Sequence, residues 1–271
     1  MIRVYLMSFL FIIALAPSFA GGENRPVGSR SASMSNSSVC LSDLWSAFNN
    51  QAGLAHITQA QAGFYYENRY LLKELGYKAA AFACPFEAGA LGLSFTHFGF
   101  SAYNESKIGL AYAKKMGKYL SLGVQLDYCM IHLDENYGNH SFVTFEAGAL
   151  SNISPKLTLG VHIYNPVHAK ISGNTDERAP AIFRMGAAYS VTKKFMITAE
   201  TEKNIDHKAV LRSGFEYQLT PVVNLRAGIA TNPATVSFGV GVCTGNLVMD
   251  FSASYHQVLG FSPQASLTYK F

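Results

Sequence analysis

The stretch Pro263-Gln-Ala-Ser-Leu-Thr-Tyr-Lys-Phe271 closes the chain and alternates in polarity without a break. Ala265, Leu267, Tyr269 and Phe271 share one face of an extended strand, and Gln264, Ser266, Thr268 and Lys270 share the other. Successive side chains of a strand point to opposite faces, so the segment has one apolar and one polar side. The same period of two recurs over most of the chain upstream. Apolar outside and polar inside, strand after strand, is how an all-β, transmembrane, antiparallel up-and-down β-barrel is encoded.

The alternation predicts about fourteen strands after residue 60, each near the roughly 9–11 residues that a tilted membrane strand needs. They are expected to start near Gln61, Tyr77, Gly89, Ser106, Lys118, Ser141, Lys156, Ala181, Lys194, Lys208, Val222, Thr235, Asn246 and Pro263. The first two carry the weakest signal, because Lys78 to Phe86 is Ala-rich with little alternation.

Loop lengths test the count. If the last strand ends at the periplasm, alternate connections are short periplasmic turns and the others are external loops. Cys243–Asn246, Leu219–Pro221, Ser190–Lys193, Asn152–Pro155, Lys115–Gly117 and Pro85–Ala88 form the tight set, rich in turn residues. Leu133–His140, Asn165–Pro180, Lys203–His207 and His256–Ser262 form the longer one. The parity holds throughout and places both barrel ends at the periplasm. Lysines crowd the short turns, acids such as Asp134, Glu135 and Asp206 mark the external loops, and tyrosines such as Tyr119, Tyr189 and Tyr217 fall at strand ends, where interfacial girdles belong.

The front of the chain points to the same compartment. Arg3 precedes the short apolar run Val4–Ala16, and Ser18-Phe19-Ala20 offers small residues where a signal peptidase reads. A cleaved signal over residues 1–20 is therefore expected, then a plug over 21–60 and the barrel over 61–271. Charged residues are 14% and aromatics 13% of the chain. After the signal no apolar run approaches the ~20 residues of a membrane-crossing helix. The net charge of +4 is spread over scattered lysines and arginines, so no nucleic-acid partner is expected. Cys40, Cys84, Cys129 and Cys243 lie far apart without metal spacing, and unpaired thiols are the expectation.

Alternation also assigns faces. Phe183, Met185, Ala187 and Tyr189 point to lipid, which puts Arg184 inside; by the same rule Glu200, Glu202, Arg212, Glu216, Arg226, Asp250, Asp127 and Glu146 point inward. Arg or Lys facing lipid at the midplane costs roughly 2–4 kcal/mol, so the inward choice is forced. Arg184, Glu200, Arg212, Glu216, Arg226 and Asp250 alternate in sign around neighbouring strands. The pattern fits ion pairs that hold wall and plug, and it fits equally a polar constriction that recognises a substrate headgroup. About fourteen strands enclose a lumen too wide for wall side chains to fill. Residues 21–60, rich in Ser, Asn and Gly, are the candidate plug, with a short helix expected over Leu41–Phe48, Ser42 as its cap and Trp45 as an anchor.

That plug carries a resemblance. Gly28-Ser-Arg-Ser-Ala-Ser-Met34 followed by Asn49-Asn-Gln-Ala-Gly-Leu54 resembles the amino-terminal signature of the FadL-like outer-membrane barrels, in which a "G-x-R-x-x-x-M" run leads to "N-P-A-G-L". Gln51 stands where the signature has Pro, and Asn49, Asn50, Ala52, Gly53 and Leu54 match around it. Leu110–Lys114, Ala199–Lys203 and Ser254–Gly260 resemble the PorV/PorQ-type branch and its uncharacterised relatives. The terminal Phe271 resembles the sorting mark of bacterial outer-membrane barrels. The resemblance implies a Gram-negative outer-membrane barrel with an amino-terminal hatch. FadL-type members take up hydrophobic small molecules and release them sideways through a kink or gap in the wall. PorV/PorQ-type members work with type IX secretion proteins as cargo docks. The short external loops favour the small-molecule channel, and a purely structural barrel is the third reading.

No Gly-x-Ser-x-Gly elbow, His-Glu-x-x-His site or phosphate loop is present, and the eight histidines are dispersed. No enzyme, cofactor or metal is expected. Besides lipid, the expected partners are a hydrophobic small molecule or secretion-system proteins.

Overall fold

A computed structural model describes residues 24–133, 138–171 and 177–271. The expected signal lies outside the described residues, as do Asp134 and Glu135. Fourteen antiparallel strands close into one barrel, each hydrogen-bonded to its sequence neighbours and the last to the first. They are β1 (Gln61–Asn68), β2 (Gly76–Phe86), β3 (Gly89–Gly99), β4 (Tyr103–Met116), β5 (Leu120–Leu133), β6 (Asn139–Ser154), β7 (Leu157–Tyr164), β8 (Ile182–Thr192), β9 (Phe195–Asn204), β10 (Val210–Gln218), β11 (Val223–Ala230), β12 (Thr235–Thr244), β13 (Leu247–His256) and β14 (Gly260–Lys270). The expected count is observed, with starts within three residues of those expected. Closure pairs Gln61 with Lys270 and Glu67 with Gln264, leaving no free sheet edge.

The outer face is an apolar belt: Phe64, Leu93, Leu110, Leu126, Val143, Met185, Phe238 and Phe251 all stand exposed within their strands. The inner face is polar, and on β14 Ser262, Gln264, Ser266 and Thr268 are all buried. This inversion of a soluble core is what lipid outside and a packed lumen inside require. The wall is uneven in height. β4, β5 and β6 run 14, 14 and 16 residues, whereas β7 and β11 run 8. Over the tall side the loop after β7 folds inward, and its Ile171 and Ala179 pack on Cys129, Ile131 and Phe142. Asn165, fully buried, fastens that loop: its Oδ1 accepts from Thr144 Oγ1 (2.8 Å) and Ala169 N (2.9 Å), and its Nδ2 donates to Ala179 O (2.8 Å).

Residues 24–60 lie inside the barrel. They carry a short helix α1 (Ser29–Ser33), a second turn α2 (Ser46–Asn49) and a 3-10 segment (Gln51–His56). On one side Val27, Leu44, Trp45, Ala47, Phe48 and Leu54 bury against Ala79, Ala81, Ala83, Ala90, Ala111 and Ala113 of β2 to β4. The weak alternation of β2 has its reason here: small inward residues make room for the bulky side chains of the internal segment. All four cysteines are free thiols.

Candidate functional site

The internal segment is seated by glycines. Inward-facing positions at mid-height on many strands are Gly, and a Cβ on them would strike the segment. At Gly63 it would stand 2.7 Å from Leu44 Cδ2, at Gly92 2.7 Å from Leu54 Cδ1, at Gly160 2.6 Å from Val39 O and at Gly214 2.5 Å from Met34 Cβ. At Gly148 it would overlap the Asn50 side chain. Glycine inside a strand weakens the strand and marks close approach of another chain segment. Gly28 has a second reason: its φ is +102°, and a Cβ there would sit 2.6 Å from Trp45 Cγ. Trp45 itself packs edge-on to Tyr65, with ring centroids 6.1 Å apart.

The signature residues hold the segment in shape. Asn49 bridges Val27 through both its oxygen and its amide, each at 2.9 Å. Asn50 Oδ1 caps Ala52 N at 3.2 Å, while its Nδ2 donates to Val39 O at 2.7 Å and to the wall carbonyl of Ala149 at 3.3 Å. Ala52, Gly53 and Leu54 are fully buried, and Gly53 packs on Ser46 and Leu41. The helix expected over Leu41–Phe48 is confined to Ser46–Asn49. Asp43 Oδ1 accepts from Trp45 N, Ser46 Oγ donates to Leu41 O, and these side-chain bonds hold the preceding residues in a turn. Ser42 is not the cap.

All six lumen candidates face inward and join two ion networks. In the upper one Arg184 Nε meets Glu202 Oε2 (2.6 Å), and Arg212 bridges Glu202 (2.9 Å) and Glu200 (3.3 Å). The second oxygen of Glu200 accepts from the backbone of Ser38 (2.7 Å) and Val39 (2.8 Å) of the internal segment. In the lower network Arg226 joins Glu216 (2.5 Å) and Asp250 (2.7 Å). Arg30 of α1 clamps the same Glu216 with Nε (2.9 Å) and Nη2 (2.7 Å) and reaches Asp43 (3.1 Å).

A third buried cluster joins strands β4, β6 and β7 to the internal segment. Glu146 accepts from Lys107 Nζ at 2.7 Å and Gln51 Nε2 at 2.7 Å, and lies 2.9 Å from His162 Nε2. Asp127 and Glu146 are the inward carboxylates that alternation expects; Lys107 lies outside that expectation, and Gln51 enters it only as the departure from the signature's Pro. The departure from Pro at position 51 was the available signal, since a buried amide needs a wall partner.

Among the described residues, two cavities flank the internal segment. One of about 550 Å3 opens at the external rim beside β8 to β14 and β1, with Asn24, Arg25, Ser35 and Asn36 below and Tyr70, His207, Lys208 and His256 above. The other, about 330 Å3, lies at the periplasmic end beside β10 to β14 and β1, lined by Arg30, Trp45, His56, Glu216, Arg226 and Asp250. Arg212 and Glu202 line the upper cavity, and the lower network lines the other. α1 contributes Ala32 to the first cavity and Arg30 to the second. At the periplasmic end, burial and the nearby Lys115 hold the His56 imidazole below its usual range. Among the described residues no cluster of three or more His, Cys, Asp or Glu is placed to hold a metal.

A closed fourteen-stranded barrel with an apolar belt and an amino-terminal segment seated inside it defines a transmembrane β-barrel. Its fold is that of the FadL-family channels. It superposes on a Pseudomonas aeruginosa FadL homologue with a TM-score of 0.65 at 14% identity, covering 93% of this chain and 100% of that one. The Ralstonia pickettii toluene transporter TbuX gives 0.70 at 12%, covering 92% and 99%. The P. putida toluene transporter TodX gives 0.70 at 10%, also covering 92% and 99%. No protein-family model and no curated protein matches the sequence. The PorV/PorQ branch rests on the sequence resemblance alone.

Proposed function

We propose that the chain is a hatch-plugged channel for uptake of hydrophobic small molecules across the outer membrane. The observation that carries this reading is the pair of cavities facing each other across α1 in one sector of the barrel. A solute that enters from outside meets α1, held to the wall by the Arg30–Glu216 ion pair, on its way to the periplasmic cavity. The solved neighbours named as toluene transporters support a solute of this kind.

The route we infer is through the hatch. A sideways exit needs a break in the wall. β2–β3 and β3–β4 pair continuously, and among the described residues the register shifts are at Asn152/Ser154 and Ser190/Thr192. Both lie at the periplasmic rim, away from the upper cavity. The cargo-docking alternative draws no support from this geometry, since its surface would be the external loops and not a two-sided lumen.

Ser35 Oγ of the hatch lies 3.1 Å from Ser237 Oγ of β12, which suits a reversible lock. With the native cysteines replaced by Ser, the Ser35→Cys/Ser237→Cys pair is oxidised and the protein reconstituted in liposomes. Uptake of radiolabelled toluene should stop on oxidation and return on reduction. Uptake that ignores the lock would exclude the through-hatch route, and no uptake in either state would exclude the channel.

A further inference from the structure

The upper cavity has a chemistry that a hydrocarbon does not need. Its described lining carries the cations Arg25, Arg69, Lys208 and Arg212 against the carboxylates Glu67 and Glu202. The excess is positive, inside low-dielectric walls that focus such a field toward the opening. The floor adds donors. Asn24 is 8% exposed; its Oδ1 is taken by Lys107 Nζ at 2.9 Å, and its Nδ2 has no hydrogen-bond acceptor among the described residues. Arg184 donates through Nη2 to Asn24 O at 3.0 Å, and its buried Nη1 likewise has no acceptor there. A buried donor left unmet costs about 1–3 kcal/mol; Arg184 lies behind the lining, and the amide of Asn24, a residue that lines the cavity, is the group there that calls for an acceptor.

The remaining lining gives the other half of the ligand. Tyr65 and Tyr70 present aromatic surface, and Ile182 and Pro233 add apolar contact. The volume, about 550 Å3, falls within the range of small-molecule sites. We infer that the external cavity is a binding site for a compact organic anion, an aromatic or short-chain acid with a single carboxylate. In it the carboxylate meets the Asn24 and Arg212 floor and the apolar body lies against the tyrosines. This rests on reading the cavity as the channel entrance, and names the polar end of the solute that enters it.

Three probes of one shape separate the possibilities: benzoate, neutral benzyl alcohol and cationic benzylamine, titrated calorimetrically into the intact barrel in nanodiscs. Benzoate should bind saturably and at least tenfold more tightly than the other two. Asn24→Asp keeps the acceptor for Lys107 but replaces the free donor with negative charge, and should weaken benzoate at least tenfold. Lys208→Glu, on an exposed rim residue remote from the packing, should weaken it several-fold while the unboiled barrel still migrates as a folded band. Equal binding of benzyl alcohol, a preference for benzylamine, or benzoate affinity unchanged in both variants would overturn the assignment. The uptake reading fails separately: benzoate that binds but never enters liposomes through the reduced, unlocked hatch removes the channel and leaves the site. Neutral solute that enters while benzoate does not bind removes the site and leaves the channel.

Discussion

Gln51 Nε2 of the hatch donates to Glu146 Oε2 of β6 at 2.7 Å, and both residues are fully sealed from solvent. The residue that departs from the signature this segment resembles is thus the one that ties it to a buried wall carboxylate. Glu146 is shared with Lys107 and His162, so Gln51 completes a network already built into the wall.

Gln51→Leu should therefore destabilise the hatch without opening the barrel wall. It removes one donor from a buried carboxylate, at a cost of about 1–3 kcal/mol. Limited proteolysis should cut the variant within residues 24–60 while the barrel band persists on an unboiled gel. Protection equal to the parent protein would show that the bond contributes nothing to holding the hatch.

The barrel itself was legible because lipid enforces it. An Arg such as Arg184 has only one face to occupy, and alternation then sets the facing of its whole strand. The hatch path was not legible. Gln51 and Glu146 are 95 residues apart, and spacing along the chain does not say which strand a plug residue will meet. The glycines were visible as Gly63, Gly92 and Gly148 inside strand patterns, but what approached them was not. Alternation assigns the six charges to the polar face, and says nothing of their division between two networks. That division depends on Arg30, which belongs to the hatch.

Gly92→Val should unseat the hatch from β3. A Cβ there would already stand 2.7 Å from Leu54 Cδ1, and two further methyls leave Leu54 no room on the wall. Trp45, the sole Trp and 3% exposed, reports on the same cluster. Its emission should shift to the red in Gly92→Val and stay put in Leu91→Val, whose side chain faces lipid. Identical spectra would mean that the hatch tolerates the added volume.

Leu126→Arg tests the membrane belt. Leu126 is 59% exposed in mid-β5, opposite Leu110 and Phe145. An Arg there should cost about 2–4 kcal/mol if that face meets the bilayer midplane. The urea midpoint for unfolding from lipid vesicles should fall accordingly. A neutral effect would place Leu126 in water and contradict the belt.

Arg30→Ala should convert a sealed barrel into one that opens. Among the described residues the guanidinium is the link by which α1 grips the lower network, with Glu216 and Asp43 as its carboxylates. Its removal leaves Glu216 to Arg226 alone and breaks a largely buried pair, a loss of about 3 kcal/mol in a segment of only five helical residues. Leu44, Trp45 and Phe48 keep the rest of the hatch packed on β2 to β4, so the change is confined to the sector where the two cavities face each other. In planar bilayers the parent protein should show long closed periods and Arg30→Ala frequent discrete openings. Arg30→Lys keeps the charge but loses the two-point grip on Glu216, and should fall between them. Conductance that is the same in all three would mean that α1 is held by its glycine seat and not by the ion pair.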